Sequence, residues 1–142
     1  MNKIVLAFIT VLPTLAMANT TSLDYALASK NAVVAVNCIT SLDKGFPKDE
    51  FRRNQLFKIF ERDSDLFLKG INEHKITKVD IDKNVPTVWE EAIKDSKHSS
   101  FVKGYVFGRL RQYALDYADN NVTSTKTYFE AQYKKDNCDL IK

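Results

Sequence analysis

The chain has 142 residues, 44% of them hydrophobic, and 21 Lys and Arg against 18 Asp and Glu for a formal charge of +3. A length of this order predicts one domain whose folding buries roughly two thirds of the surface the unfolded chain exposes. Both signs of charge are interspersed and no basic stripe stands out, which excludes a nucleic-acid or anionic-membrane partner as an expectation.

Residues 1–18, MNKIVLAFITVLPTLAMA, have the form of a cleaved export signal. Lys3 gives the positive start, Ile4 to Leu12 an apolar run, Pro13 a break, and Ala16 and Ala18 the small residues a signal peptidase needs. The run is far shorter than the roughly 20 apolar residues that span a bilayer. No Cys follows it until Cys38, so a lipid anchor is not expected. The expected product is residues 19–142 as a single helical domain, periplasmic or secreted, with no membrane insertion after cleavage.

Only four Gly and three Pro occur, and the apolar spacing beyond residue 19 is mostly helical. The first helix is predicted from an N-cap at Ser22 to about Asp43, with Gly45 as C-cap and Leu27, Val34, Cys38 and Leu42 on one buried face. A second follows Phe46-Pro47 and runs to Lys69, where Gly70 stops it; Leu56, Ile59, Phe60, Leu66 and Phe67 form its apolar arc. Ile71 to Val85 is polar and reads as a loop. Thr87 then opens a third helix with a T-x-x-E capping box, in which Glu90 reaches back to the Thr87 amide and Trp89, Ala92 and Ile93 are buried.

The fourth helix, about Ser99 to Asn120, is the most apolar stretch after residue 19 and is predicted to be central, and a fifth spans about Ser124 to Lys135. The fold class is therefore all-α, a single-domain irregular bundle of about five helices with one disulfide. Cys38 and Cys138 supply the bridge, because an exported chain with an even cysteine count pairs them. No C-x-x-C is present, so the bridge is read as structural.

Asp80, Asp82, Asn84 and Glu91 fall at positions 1, 3, 5 and 12 of a calcium-loop pattern. Val85 and Pro86 stand at positions 6 and 7, where that loop needs Gly and its sharp turn, so the run reads as a solvated acidic turn. His74 and His98 have no Cys or second His at ligand spacing. No nucleophile elbow or Gly-rich phosphate loop occurs, so neither enzyme activity nor a cofactor is expected.

Gly104 and Gly108 form a G-x-x-x-G inside the fourth helix, and each costs roughly 1 kcal/mol against Ala. Close approach of a neighbouring helix is the expected compensation. Phe101, Tyr105, Arg109, Gln112, Asp116 and Asp119 share a narrow stripe of the same helix. The aromatics either pack under another element or, with Arg109, anchor a protein partner.

The run Phe101-Val102-Lys103-Gly104-Tyr105-Val106-Phe107-Gly108 resembles the F-x-x-G-Y-[IV]-x-G helix of the Rap/Tai-type immunity proteins, small exported helical proteins that protect bacteria from type VI secretion toxins. The leader, the size and a cysteine in the first helix are similar too. The resemblance implies a periplasmic protein that binds a cell-wall-degrading effector, typically a peptidoglycan amidase, and blocks its active site without catalysis of its own. A homodimer stays open. The alternative is a small periplasmic stress chaperone with one disulfide, which would expose apolar surface on acidification.

Overall fold

A computed structural model describes residues 19–142, so the expected signal at 1–18 lies outside the described residues. Six helices and no strand are present among them: α1 (Ser22–Gly45), α2 (Glu50–Asn72), α3 (Lys78–Asn84), α4 (Thr87–Asp95), α5 (Ser99–Asn121) and α6 (Thr125–Lys135). The all-α class holds, with one helix more than the sequence suggests. None of the described helices is long and apolar enough to cross a membrane.

The central helix is α1, not α5. It packs against α2, α6, α5 and α3, and Ala26, Ala28, Ala32 and Ala35 are all buried along it. Alanines let neighbouring backbones come close while adding little hydropathy, which is why apolar counting passes over them. By contrast α5 fully buries only Val102, Val106 and Ala118. Along α1 the tail and α6 cover Cys38 and Leu42, whereas Leu27 and Val34 higher up are 38% and 37% exposed.

Side chains cap the N-termini of α1, α2, α3 and α6, and at α1 the cap stands one residue before the expected one. Thr21, not Ser22, caps α1: its hydroxyl accepts the Asp24 amide at 3.2 Å and Asp24 accepts the Thr21 amide at 2.8 Å. Thr77 caps α3, so Asp80, Asp82 and Asn84 lie on a helix and the acidic turn expected there does not form. Pro86 is the N-cap residue of α4 and makes no side-chain cap bond. Thr87 is already helical, so its hydroxyl cannot play the cap of the T-x-x-E box.

The glycines depart from their expected roles. Gly45 is the last residue of α1 and Gly70 lies inside α2; neither has positive φ, and each marks a close approach. A Cβ on Gly70 would sit 2.6 Å from the Tyr25 ring, and one on Gly45 would sit 3.1 Å from the Glu130 backbone nitrogen. Helix α2 continues past Gly70 to Asn72, and Tyr25 of α1 fills the space a side chain at Gly70 would need. Left-handed backbone occurs instead at His74 (φ 53) and Asn137 (φ 52), just after α2 and α6 end. Asn is among the non-glycine residues that tolerate this conformation best, and Asn137 turns the chain so that Cys138 meets Cys38, Cα to Cα 5.5 Å apart.

The tail beyond Cys138 lies along α2. The Arg52 guanidinium donates to the carbonyls of Cys138 and, at 3.0 Å, Ile141, and Arg62 donates to that of Lys142 at 3.1 Å.

A polar node joins the starts of α1 and α3. The Ser22 hydroxyl donates to Asp80 and accepts the Thr77 amide at 2.8 Å, and the Thr77 hydroxyl donates to Asp80 at 2.9 Å. The Ser22 hydroxyl, then that of Thr77, holds the Asp80 carboxyl below the usual carboxylate range, as the Thr21 amide and hydroxyl do for Asp24. A depressed folded-state pKa gives stability that is present above the unfolded value and is lost as pH falls through the folded one. On acidification below about pH 4, the amide resonances of α3 should therefore shift before those around Trp89, and Asp80→Asn should remove that early step. A single shared transition for both regions would rule out an acid-sensitive junction.

Candidate functional site

The site is the outward face of α5, and its position follows from how α5 is held. Lys103 reaches α2, with its ammonium 2.5 Å from Glu61 and 3.0 Å from Asp65. Burial pulls that ammonium down, but the bonds from Glu61 and Asp65 together hold it above the usual lysine range. One turn on, the Phe107 ring packs 5.9 Å from Phe57 and 5.5 Å from Phe60. A further turn on, Arg111 reaches Asp43 of α1 at 2.5 Å, and Arg53 of α2 meets the same carboxylate. These three contacts fix the rotation of α5, running antiparallel to α2, and so decide which side meets water.

That side carries the stripe read from the sequence. Phe101 is 50% exposed and stacks on Tyr105 with ring centroids 6.4 Å apart. Tyr105 is half-buried, leaning on the core. Arg109, Gln112, Asp116 and Asp119 are exposed. The Arg109 guanidinium lies 4.3 Å from the centroid of the Tyr113 ring, and the Gln112 amide donates to Asp116 at 2.6 Å. Cation–π contact and a one-turn hydrogen bond hold these side chains in place before any partner arrives. Phe101 does not pack under the 71–85 segment or another helix.

Gly104 and Gly108 belong to this exposed face, and the neighbouring helix expected against them is absent. A Cβ on either would meet nothing within 4 Å. The glycines are therefore required neither by backbone conformation nor by packing among the described residues, and each leaves α5 weaker by roughly 1 kcal/mol than Ala would. Beside Gly104 is a shallow pocket of about 320 Å³ between α2 and α5, floored by Phe57, Phe60 and Phe107.

Two aromatics of this surface escape the sequence. Phe57 is 44% exposed beside Gly104, and Tyr113 is 48% exposed.

The other candidates do not assemble. Asp80 is engaged by Ser22 and Thr77, Glu91 is exposed on α4, and His74 and His98 are exposed at the end of α2 and the start of α5. Among the described residues no group of three or more His, Cys, Asp or Glu is placed to hold a metal ion. No family model matches the chain, and neither a curated protein nor a solved structure matches it.

Proposed function

We propose that this is an exported binding and inhibitory protein of the immunity type, which neutralises a cell-wall-degrading, amidase-type secreted effector in the periplasm. The observation that carries the reading is the outward face of α5: two uncovered glycines, a half-exposed Phe101 and an Arg109 held on Tyr113, all on one rigid helix. Glycines that weaken a helix without serving its own fold suit a face against which a partner's backbone packs closely. Aromatic and Arg side chains supply the usual anchors of such a contact. The likeness of residues 101–108 to the Rap/Tai-type helix and the disulfide suited to an oxidising compartment agree with it.

The test is to search the genes adjoining this one for a peptidoglycan amidase, purify it and assay it with the protein. Its activity on cell-wall material should fall on addition of the protein, and Phe101→Ala and Tyr105→Ala should each weaken the complex about tenfold or more. Phe101→Ala should leave the melting temperature nearly unchanged. Gly104→Ala and Gly108→Ala should each stabilise the free protein by about 0.5–1 kcal/mol in urea titrations while weakening the complex. Full affinity in all four variants, or amidase activity unaffected by excess protein, removes the reading.

The node at Asp80 favours one rival, a small stress chaperone that opens in acid. An apolar dye separates the two: reversible binding between about pH 7 and pH 2, with suppression of client aggregation, supports the chaperone. A protein that stays closed supports inhibition.

A further inference from the structure

A concavity of about 810 Å³ lies away from α5, where the end of α1, the start of α2, α6 and the tail meet. That volume is within the range of small-molecule sites, which are apolar with a few polar groups that orient the ligand. Its floor is Leu42, Pro47 and the rings of Phe46 and Tyr133, which meet edge to face with centroids 5.3 Å apart. Three ammonium groups surround this floor, from Lys48, Lys126 and Lys134.

Two carboxylates line the basin as well, and both are engaged within the chain. Asp49 caps α2, accepting the Arg52 amide at 2.9 Å, and Asp139 accepts the Tyr133 hydroxyl at 2.8 Å. Lys126 lies 3.6 Å from Glu130, whereas Lys48 and Lys134 form no ion pair among the described residues. Two exposed ammonium groups thus flank an apolar floor. The walls are also cross-linked: Leu42 follows Cys38 by one turn of α1, and Asp139 follows Cys138, so the disulfide holds the two sides together. A basin fixed in this way binds with little ordering cost.

We infer that this basin is a binding site for a free amphiphilic anion, a carboxylate or phosphate with a short alkyl or aryl body. The body lies on Phe46, Tyr133 and Leu42, and Lys48 and Lys134 take the charged head. The site is independent of the α5 face and of the partner proposed for it.

Calorimetric titration of the oxidised protein with octanoate, octyl phosphate and octylammonium tests the assignment. The two anions should bind with dissociation constants below about 1 mM and the cation at least about tenfold more weakly. Amide shifts should centre on Leu42, Phe46 and Tyr133. The double variant Lys48→Glu/Lys134→Glu changes only exposed side chains, and it should weaken anion binding at least about tenfold with an unchanged melting temperature. No saturation by either anion, equal binding of octylammonium, or full affinity in the double variant overturns the assignment. Binding confined to phosphatidylglycerol vesicles does so too, because it makes the surface a membrane contact.

Discussion

Removing the disulfide, by Cys38→Ala with Cys138→Ala or by reduction, should cost about 2–5 kcal/mol and lower the melting temperature by roughly 10–20 °C. The bridge closes a sequence separation of 100 residues, for which the loss of unfolded-state freedom alone is worth about 4–5 kcal/mol as an upper value. Cys138 is fully buried against α1, so the tail's position depends on the bond. Without it the tail keeps the Arg52 and Arg62 bonds to its carbonyls, which are few and partly exposed. Such bonds offset a part of the loss, each contributing about 1–3 kcal/mol at most. Urea unfolding with and without reductant gives the difference. A loss under about 1 kcal/mol would mean that the arginine contacts, and not the bridge, hold the tail.

How much of this was legible in advance depends on where the signal lay. The spacing of α5 is enough to align Phe101, Tyr105, Arg109, Gln112 and Asp116, since a helix of known period fixes which residues share a face. Which face meets water is set by Lys103, Phe107 and Arg111 gripping α2 and α1, and that is a tertiary fact. The pattern Thr-x-x-acid occurs at Thr21, Thr40, Thr77, Thr87 and Thr127, and the fold uses only Thr21 and Thr77 as caps. Its meaning at Thr77 was hidden because α3 is seven residues long and buries none of them, leaving no apolar period to notice. At Thr87 the helix has already begun, because Pro86 is its N-cap residue, so the motif is present and idle.

The glycines carry the same lesson in sharper form. From sequence, Gly45 and Gly70 resemble helix stops and Gly104 and Gly108 a packing seam. In the fold the first pair makes the seams, against Glu130 and Tyr25, and the second pair is open. Composition reveals that a glycine is costly in a helix but not what offsets the cost, because the answer is an atom from another segment. For Gly104 and Gly108 no such atom comes from the described residues, and that gap is what turns an ordinary amphipathic stripe into a candidate binding face.

Trp89→Ala should be the most damaging single substitution, at about 3–5 kcal/mol. The indole is fully buried, meets the Phe67 ring edge-on at a centroid distance of 5.0 Å, and donates from Nε1 to the Ser29 carbonyl at 3.0 Å. It thereby ties α4 to α2 and α1 at once. At nine residues α4 is too short to persist without such an anchor, and besides the indole it fully buries only Val88 and Ala92. Trp89→Phe keeps most of the ring volume and loses the bond to Ser29, so its cost should be about 1–3 kcal/mol, and the gap between the two variants measures packing against hydrogen bonding. Helix α4 also packs on α5, so the N-terminal half of the proposed binding face rests on it. Loss of affinity in Trp89→Phe would therefore follow loss of order in α4, readable as faster amide exchange across residues 87–95, whereas Phe101→Ala should lose affinity with α4 unchanged. If Trp89→Ala costs less than about 1.5 kcal/mol, α4 is held by something other than its indole, and the stiffness ascribed to the start of α5 has no source in the packing beneath it.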